Sequence, residues 1–492
     1  MTPLIEELRP VPDPLDTASR FVGQPYVLFL DSARDPDRLG RYSFLAADPA
    51  LLLRGNGSRT ELVDLREGSA THVAGNALEA ARSVLAPHRV RQMDTLPPFQ
   101  GGLAGYVAYD FGAVLERLPT PRYDDLAIPD AMLALYDWVI AWDHRDERAW
   151  LVSTGAPATG ADKESRAAER TAWVRQVLTG RRAPSRHAVS PEQRSQRRAP
   201  TPRAPMAPSF PVTGERAELV GLRSSFTHEA YLDAVRRVRD YILAGDIFQA
   251  NLSQRLEAPL RTKPWTLYTR LRAINPAPFA AYLDFHEVII ASASPERFLS
   301  LTPDGIVETR PIKGTRPRGT GPEHDAFLSR ALADSEKDRA ENLMIVDLLR
   351  NDLSRVADPR SVRVAELFAL EHYSTVHHLV STVTGQLATG RDALDLLAAA
   401  FPGGSITGAP KVRAMEIIAE LEPSRRGVYC GTIGYLSFTG ALDTSIVIRT
   451  YVALGEHVYF SVGGGIVADS DPEQEWRETL DKARALIEGL VE

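Results

Sequence analysis

The chain has 492 residues, 44% hydrophobic and 25% charged, with a formal net charge of −7. That is enough length for two domains or one large two-lobed unit, and an ordinary soluble, globular balance. The acidic excess argues against nucleic acid as the main partner, because such proteins usually present a basic face.

The opening Met1-Thr2-Pro3-Leu4-Ile5-Glu6-Glu7 has no basic segment leading into an apolar one, so no signal peptide is expected. No run approaches 18 uncharged apolar residues, so no membrane span is expected. The single thiol, Cys430, can form neither an internal disulfide nor a cysteine zinc cluster, which suits a reducing, cytoplasmic setting.

Tyr26-Val27-Leu28-Phe29-Leu30 predicts a short strand ending at Asp31-Ser32. Apolar runs at 137–142 and 148–152 flank a polar turn at 143–147, the pattern of a hairpin. A helix is predicted over 162–180, and residues 1–180 are read as one N-terminal region. Residues 181–222 are rich in Arg, Pro and Ser, with Ala-Pro at 183, 199, 204 and 207, and read as a flexible linker. From 223 to 492 a second domain follows. Its first helix, 231–244, places Leu232, Val235, Val238 and Ile242 on one face and stops at Gly245. Strands such as 288–291 and 444–448 alternate with helices at no constant period, which favours α+β over a doubly wound sheet.

Four clusters in this second domain carry chemistry. The loop Pro311-Ile312-Lys313-Gly314-Thr315 fixes backbone around one lysine. Phe401-Pro402-Gly403-Gly404-Ser405-Ile406-Thr407-Gly408-Ala409-Pro410-Lys411 runs into an amphipathic helix, and free amides at such a start suit an anionic ligand. Gly463-Gly464-Gly465 lets backbone approach a ligand closely. Asp338 and Glu341, and again Glu475 and Glu478, lie three apart, so each helix presents two carboxylates on one face. Magnesium takes one or two carboxylates, waters and substrate oxygens. Either pair alone reads more readily as a solvated helix face. Glu296 and His378 complete the ionisable set, and no zinc-ligand spacing exists.

Together with Gly245-Asp246-Ile247-Phe248-Gln249-Ala250-Asn251, these phrases resemble the chorismate-utilising enzymes over about 226–487, and more loosely through Gly101-Gly102-Leu103-Ala104-Gly105-Tyr106. The resemblance implies an α+β fold with two large antiparallel sheets packed face to face and helices outside. It implies Mg²⁺ on Glu341 and Glu478, supported by Asp338 and Glu475, with Asp338 a shorter arm than the family's usual glutamate. Chorismate would meet Gly314, Thr315, Tyr435, Arg449, Lys482 and the amides of Gly463, Gly464 and Gly465. Ser32, Arg41, Tyr42, Pro278, Phe279 and Ala280 resemble the family's tryptophan pocket. Whether tryptophan binds or inhibits is left open.

Two positions discriminate within the family. Members that add water carry a lysine base where this chain has Gln249, and a neutral amide cannot activate water. Members that aminate chorismate at C2 to give anthranilate usually have alanine where this chain has Lys313. The resemblance therefore implies amination at C4, giving 4-amino-4-deoxychorismate, with Lys313 as nucleophile. Glu296 is implied as general acid, with His378 and Thr407 near the ring. Cys430 is read as structural within a strand, so ammonia would come from a separate glutaminase subunit. The alternatives are anthranilate formation and a catalytically silent tryptophan-binding regulator.

Overall fold

The hairpin patterning around residue 143 is realised as the strands Trp138–Asp143 and Arg148–Ser153, with Arg148 opposite Asp143. The computed structural model describes residues 3–33, 39–180, 206–373 and 376–491. Most strands there join two large antiparallel sheets, of 13 and 12 strands. Trp138–Asp143 is buried along its whole length. Its continuous apolar run follows from being covered on both faces, by the other sheet and by helices.

Three layers of side chains hold the molecule. Phe44, Tyr106, Met132, Val139, Leu283 and Ile433 meet between the sheets. The outer face of the first sheet packs under Pro14–Phe21, Ala161–Leu178, Pro264–Ile274 and Pro472–Leu490. That of the second packs under Ala77–Leu85, Glu336–Ser354 and Ala393–Ala400. This is the expected α+β architecture of facing sheets with helices outside. No helix among the described residues is long and apolar enough to cross a membrane.

Two expectations about organisation need correcting. The N- and C-terminal regions share both sheets: Val27–Asp31 pairs with Phe279–Asp284, and Gly102–Val107 with Thr432–Ser437. Neither region closes a core alone. The C-terminal part of the expected linker, from 206, is ordered. Phe210–Pro211 pairs with Arg223–Ser224, and the helix Glu215–Val220 follows. Val212, Ala217, Val220 and Leu222 are buried under the first sheet. Averaged composition hid those apolar residues among the prolines. Residues 181–205 lie outside the described residues.

One buried cation ties the Ala161–Leu178 helix to the sheet. Arg170 stands 2.7 Å from Asp48 and 3.3 Å from Asp137, both fully buried. Arg170→Ala would take a cation from two buried carboxylates, Asp48 and Asp137, of which Asp137 keeps Arg166 at 2.8 Å, and is expected to lower stability by about 3 kcal/mol. A fall in the urea midpoint at unchanged m-value checks this.

Candidate active site

Lys313 lies in the strand Ile312–Pro317 rather than in a loop; this strand pairs with Val376–Gln386 at the end of the second sheet. The register shifts between Ile312 and Thr315, around Lys313 and Gly314. Such a bulge re-aims a side chain out of the regular pleat. Gly314 has φ +81°, and a Cβ there would fall 2.8 Å from Leu332 and 2.9 Å from Asp338. Only glycine fits.

The Lys313 amine donates to the Ser405 carbonyl at 3.2 Å. Ser405 Oγ in turn donates to Glu296 Oε1 at 2.7 Å. One serine thus bridges the candidate nucleophile and the candidate acid. Burial raises the Glu296 carboxyl to about 7, against the opposing Ser405 hydrogen bond and Lys313 charge. Burial also lowers the Lys313 amine, which Glu341 and Glu296 partly oppose. The same desolvation therefore favours a neutral amine and a neutral acid.

The acidic pairs sit on the helices Glu336–Ser354 and Pro472–Leu490, as their spacing predicts. Glu341 is raised by burial, with Asp338 and Glu478 adding to the rise. Glu475 is raised by burial and by Glu478. A Cβ on Gly464 would lie 3.1 Å from Glu475, 3.5 Å from Glu478 and 3.6 Å from Lys482. Gly463 and Gly465 share its strand, His457–Ile466, rather than a turn. Lys482 Nζ binds Glu478 at 2.7 Å and the Gly463 carbonyl at 2.8 Å. Arg316 holds Asp338 at 2.9 Å. Among the described residues no three His, Cys, Asp or Glu side chains meet closely enough to hold a metal ion as they stand. The gathered carboxylates still repel one another, and a hard divalent cation with retained waters would relieve that repulsion. The donor set fits such an ion.

His378 Nδ1 lies 2.9 Å from Thr315 Oγ1. Burial, with Arg449 nearby, lowers its pKa to about 4, so the ring is neutral. Arg449 Nη1 donates to the Lys482 carbonyl, which brings it to the same helix. Thr407 is fully buried and its hydroxyl donates to the Gly403 carbonyl, so it braces the turn.

Tyr435 is elsewhere. It stacks on Phe99 at 4.7 Å and lines a cavity of about 460 Å³ between the sheets. Ser32, Arg41, Tyr42, Pro278, Phe279 and Ala280 line the same cavity, so Tyr435 belongs with the candidate tryptophan residues. Tyr429, passed over beside Cys430, is buried with its ring 5.8 Å from the Arg426 guanidinium. Cys430 is in a turn rather than a strand, with φ +63°, and burial pushes its thiol up to about 12. Lys411, read as part of an anion site, is spent on Asp352 at 2.6 Å and the Ala400 carbonyl at 2.7 Å. Ser405 is the other residue missed; its signal was a hydroxyl between glycines and isoleucine in a phrase already singled out.

Comparison with known proteins matches residues 28–488 to the family described as chorismate binding enzyme. Aminodeoxychorismate synthase component 1 of Klebsiella aerogenes is 42% identical over 95% of this chain and 94% of its own length. Anthranilate synthase component 1 of Thermus thermophilus is 46% identical over 80% of this chain and 78% of its own. The crystal structure of anthranilate synthase component I from Streptococcus pneumoniae is 31% identical, with a TM-score of 0.74, covering 91% of this chain and 92% of that one.

Proposed function

The chain belongs to the chorismate-binding enzyme family, and from that premise we propose that it replaces the C4 hydroxyl of chorismate with an amine, forming 4-amino-4-deoxychorismate. One observation carries this reading: Lys313 and Glu296 share Ser405 in a single buried spot. Relatives of both names stand at comparable identity, so the preference for C4 amination rests on the lysine.

Arg449, Lys482 and the amides of the Gly463–Gly465 segment face a dicarboxylate with charge and hydrogen bonds that leave no buried anion unpaired. Glu341 and Glu478, with Asp338 and Glu475 behind them, would hold a magnesium ion, which supplies positive charge to a substrate carboxylate. Lys313 attacks C2 as the C4–O bond breaks, and the ring double bonds shift. Glu296 gives its proton to the departing hydroxide, which leaves as water, and takes one back from the new C2–N bond. Ammonia then attacks C4, the C2–N bond breaks, and Glu296 returns a proton to the lysine. One hard substitution becomes two allylic ones.

The only thiol, Cys430, is buried and its pKa is raised, so this chain has no cysteine to serve as the nucleophile of a glutaminase. Ammonia is supplied by a separate glutaminase, in keeping with the "component 1" in the relatives' names. The cavity beside Ser32 and Arg41 would take tryptophan.

Mass spectrometry of the product from chorismate, ammonium and Mg²⁺ tests the reading. A product that keeps its enolpyruvyl group is expected. Anthranilate, which lacks that group, would overturn it.

A further inference from the structure

The strand that carries Lys313 stands at the end of its sheet, and among the described residues it pairs only with Val376–Gln386. That ladder is broken at Lys313 and Gly314 by the shift in register. An end strand with an interrupted ladder is weakly fixed by the sheet, so the aim of the lysine needs a second support.

The helix Pro322–Ala333 supplies it. Asp325 meets Arg318 and Gly319 just past the strand, and a Cβ on Gly314 would fall 2.8 Å from Leu332, so helix and strand run antiparallel. Asp325 and Leu332 lie seven residues apart, about two turns, and share a face. Of the 12 residues in this helix Leu332 alone is fully buried, and Phe327 is mostly exposed. A helix so short is marginal by itself, and apolar packing adds little to hold it here.

Its anchor is polar. Asp325 accepts from Arg318 Nε and Nη2, each at 2.7 Å. Its Oδ1 also accepts from the Gly319 amide at 2.8 Å and meets His377 Nε2 at 2.9 Å. The Arg318 and Gly319 hydrogen bonds hold this carboxyl well below the usual range, so it is ionised and His377 Nε2 donates to it. Arg318 Nη1 reaches on to the Tyr373 carbonyl at 2.7 Å. One carboxylate thus joins the helix, the end of the lysine strand and the partner strand, where His377 adjoins His378. Beyond Leu332 the chain turns at Ser335, whose hydroxyl caps the helix that carries Asp338 and Glu341.

We propose that Asp325 is a positioning residue of the reaction: through the helix Pro322–Ala333 it fixes the Gly314 bulge and hence the aim of the Lys313 amine. The inference rests on the amination reading above. Asp325 acts through the strand and not on the substrate, whose proposed grips, Arg449 and Lys482, lie on other elements. Displacing a nucleophile by about 1 Å can cost about a hundredfold in rate, so the loss belongs to the chemical step.

Asp325→Ala and Arg318→Ala are each expected to slow ammonia-free formation of the Lys313 adduct about tenfold or more. The chorismate concentration giving half the maximal rate should change less than about twofold. The limb near 7 set by Glu296 should stay in place, whereas a general loosening of the site would move it. Both side chains belong to one clamp, so the double variant should be no slower than the slower single. Both are partly exposed, so folded protein is expected, and a melting curve checks it. Were Asp325→Ala to unfold, Asp325→Asn, which keeps the shape, takes its place. Folded single variants that form the adduct at the wild-type rate would overturn the positioning role, as would a shifted limb or losses that multiply in the double variant. A wild type that forms no Lys313 adduct would instead overturn the amination reading, and this inference with it.

Discussion

Lys313→Ala is expected to slow C4 amination by at least about a hundredfold, equivalent to about 2.7 kcal/mol of barrier. The amine lies inside the site, on Ser405, and its removal leaves only the weaker Ser405 hydroxyl among these three groups to act as a nucleophile beside Glu296. The loss should fall on kcat, with the KM for chorismate little changed, because Arg449 and Lys482, the groups proposed to grip the substrate carboxylates, remain. Steady-state kinetics with ammonium, alongside a melting curve, separates this from unfolding. Full turnover in the variant would remove the lysine from the mechanism.

Glu296→Gln should cost about 10²–10⁴-fold in rate, the usual range for a lost general acid. Its pH dependence has a definite sign. The carboxyl is raised to about 7 by burial, so the wild type carries the needed proton below that pH and loses it above. Lys313, lowered by the same burial, must be uncharged, so activity also falls as acid protonates it. Ammonia-free single turnovers of adduct formation should give a bell with one limb near 7. The glutamine variant should lose that limb, since its amide has no proton to give or lose. A wild-type profile with no limb near 7 would show that Glu296 is not the acid.

Much of the site could be read from the chain because its parts are local phrases. Carboxylates three apart on a helix share a face whatever surrounds them, so Asp338/Glu341 and Glu475/Glu478 were legible. The hairpin near residue 143 and the helix ending at Gly245 were legible for the same reason. What escaped depends on long-range packing. Lys411 looks available beside its glycines, but its partner Asp352 comes from another helix 59 residues away in sequence. Tyr435 lies on the strand Thr432–Ser437, whose period of two turns it into the core between the sheets. The Lys313 phrase looks like a loop because its prolines and glycines suggest one, yet pairing with Val376–Gln386 makes it an edge strand. Edge strands tolerate such residues where central strands do not.

The central claim is a bond between the Lys313 amine and C2 of chorismate. Intact-protein mass spectrometry after rapid mixing with chorismate and Mg²⁺, without ammonia, tests it most directly. The account predicts a species heavier by one chorismate less one water, mapped by digestion to the peptide holding Lys313 and absent from Lys313→Ala. Unmodified protein alongside consumed chorismate, or the same adduct in the alanine variant, would contradict it.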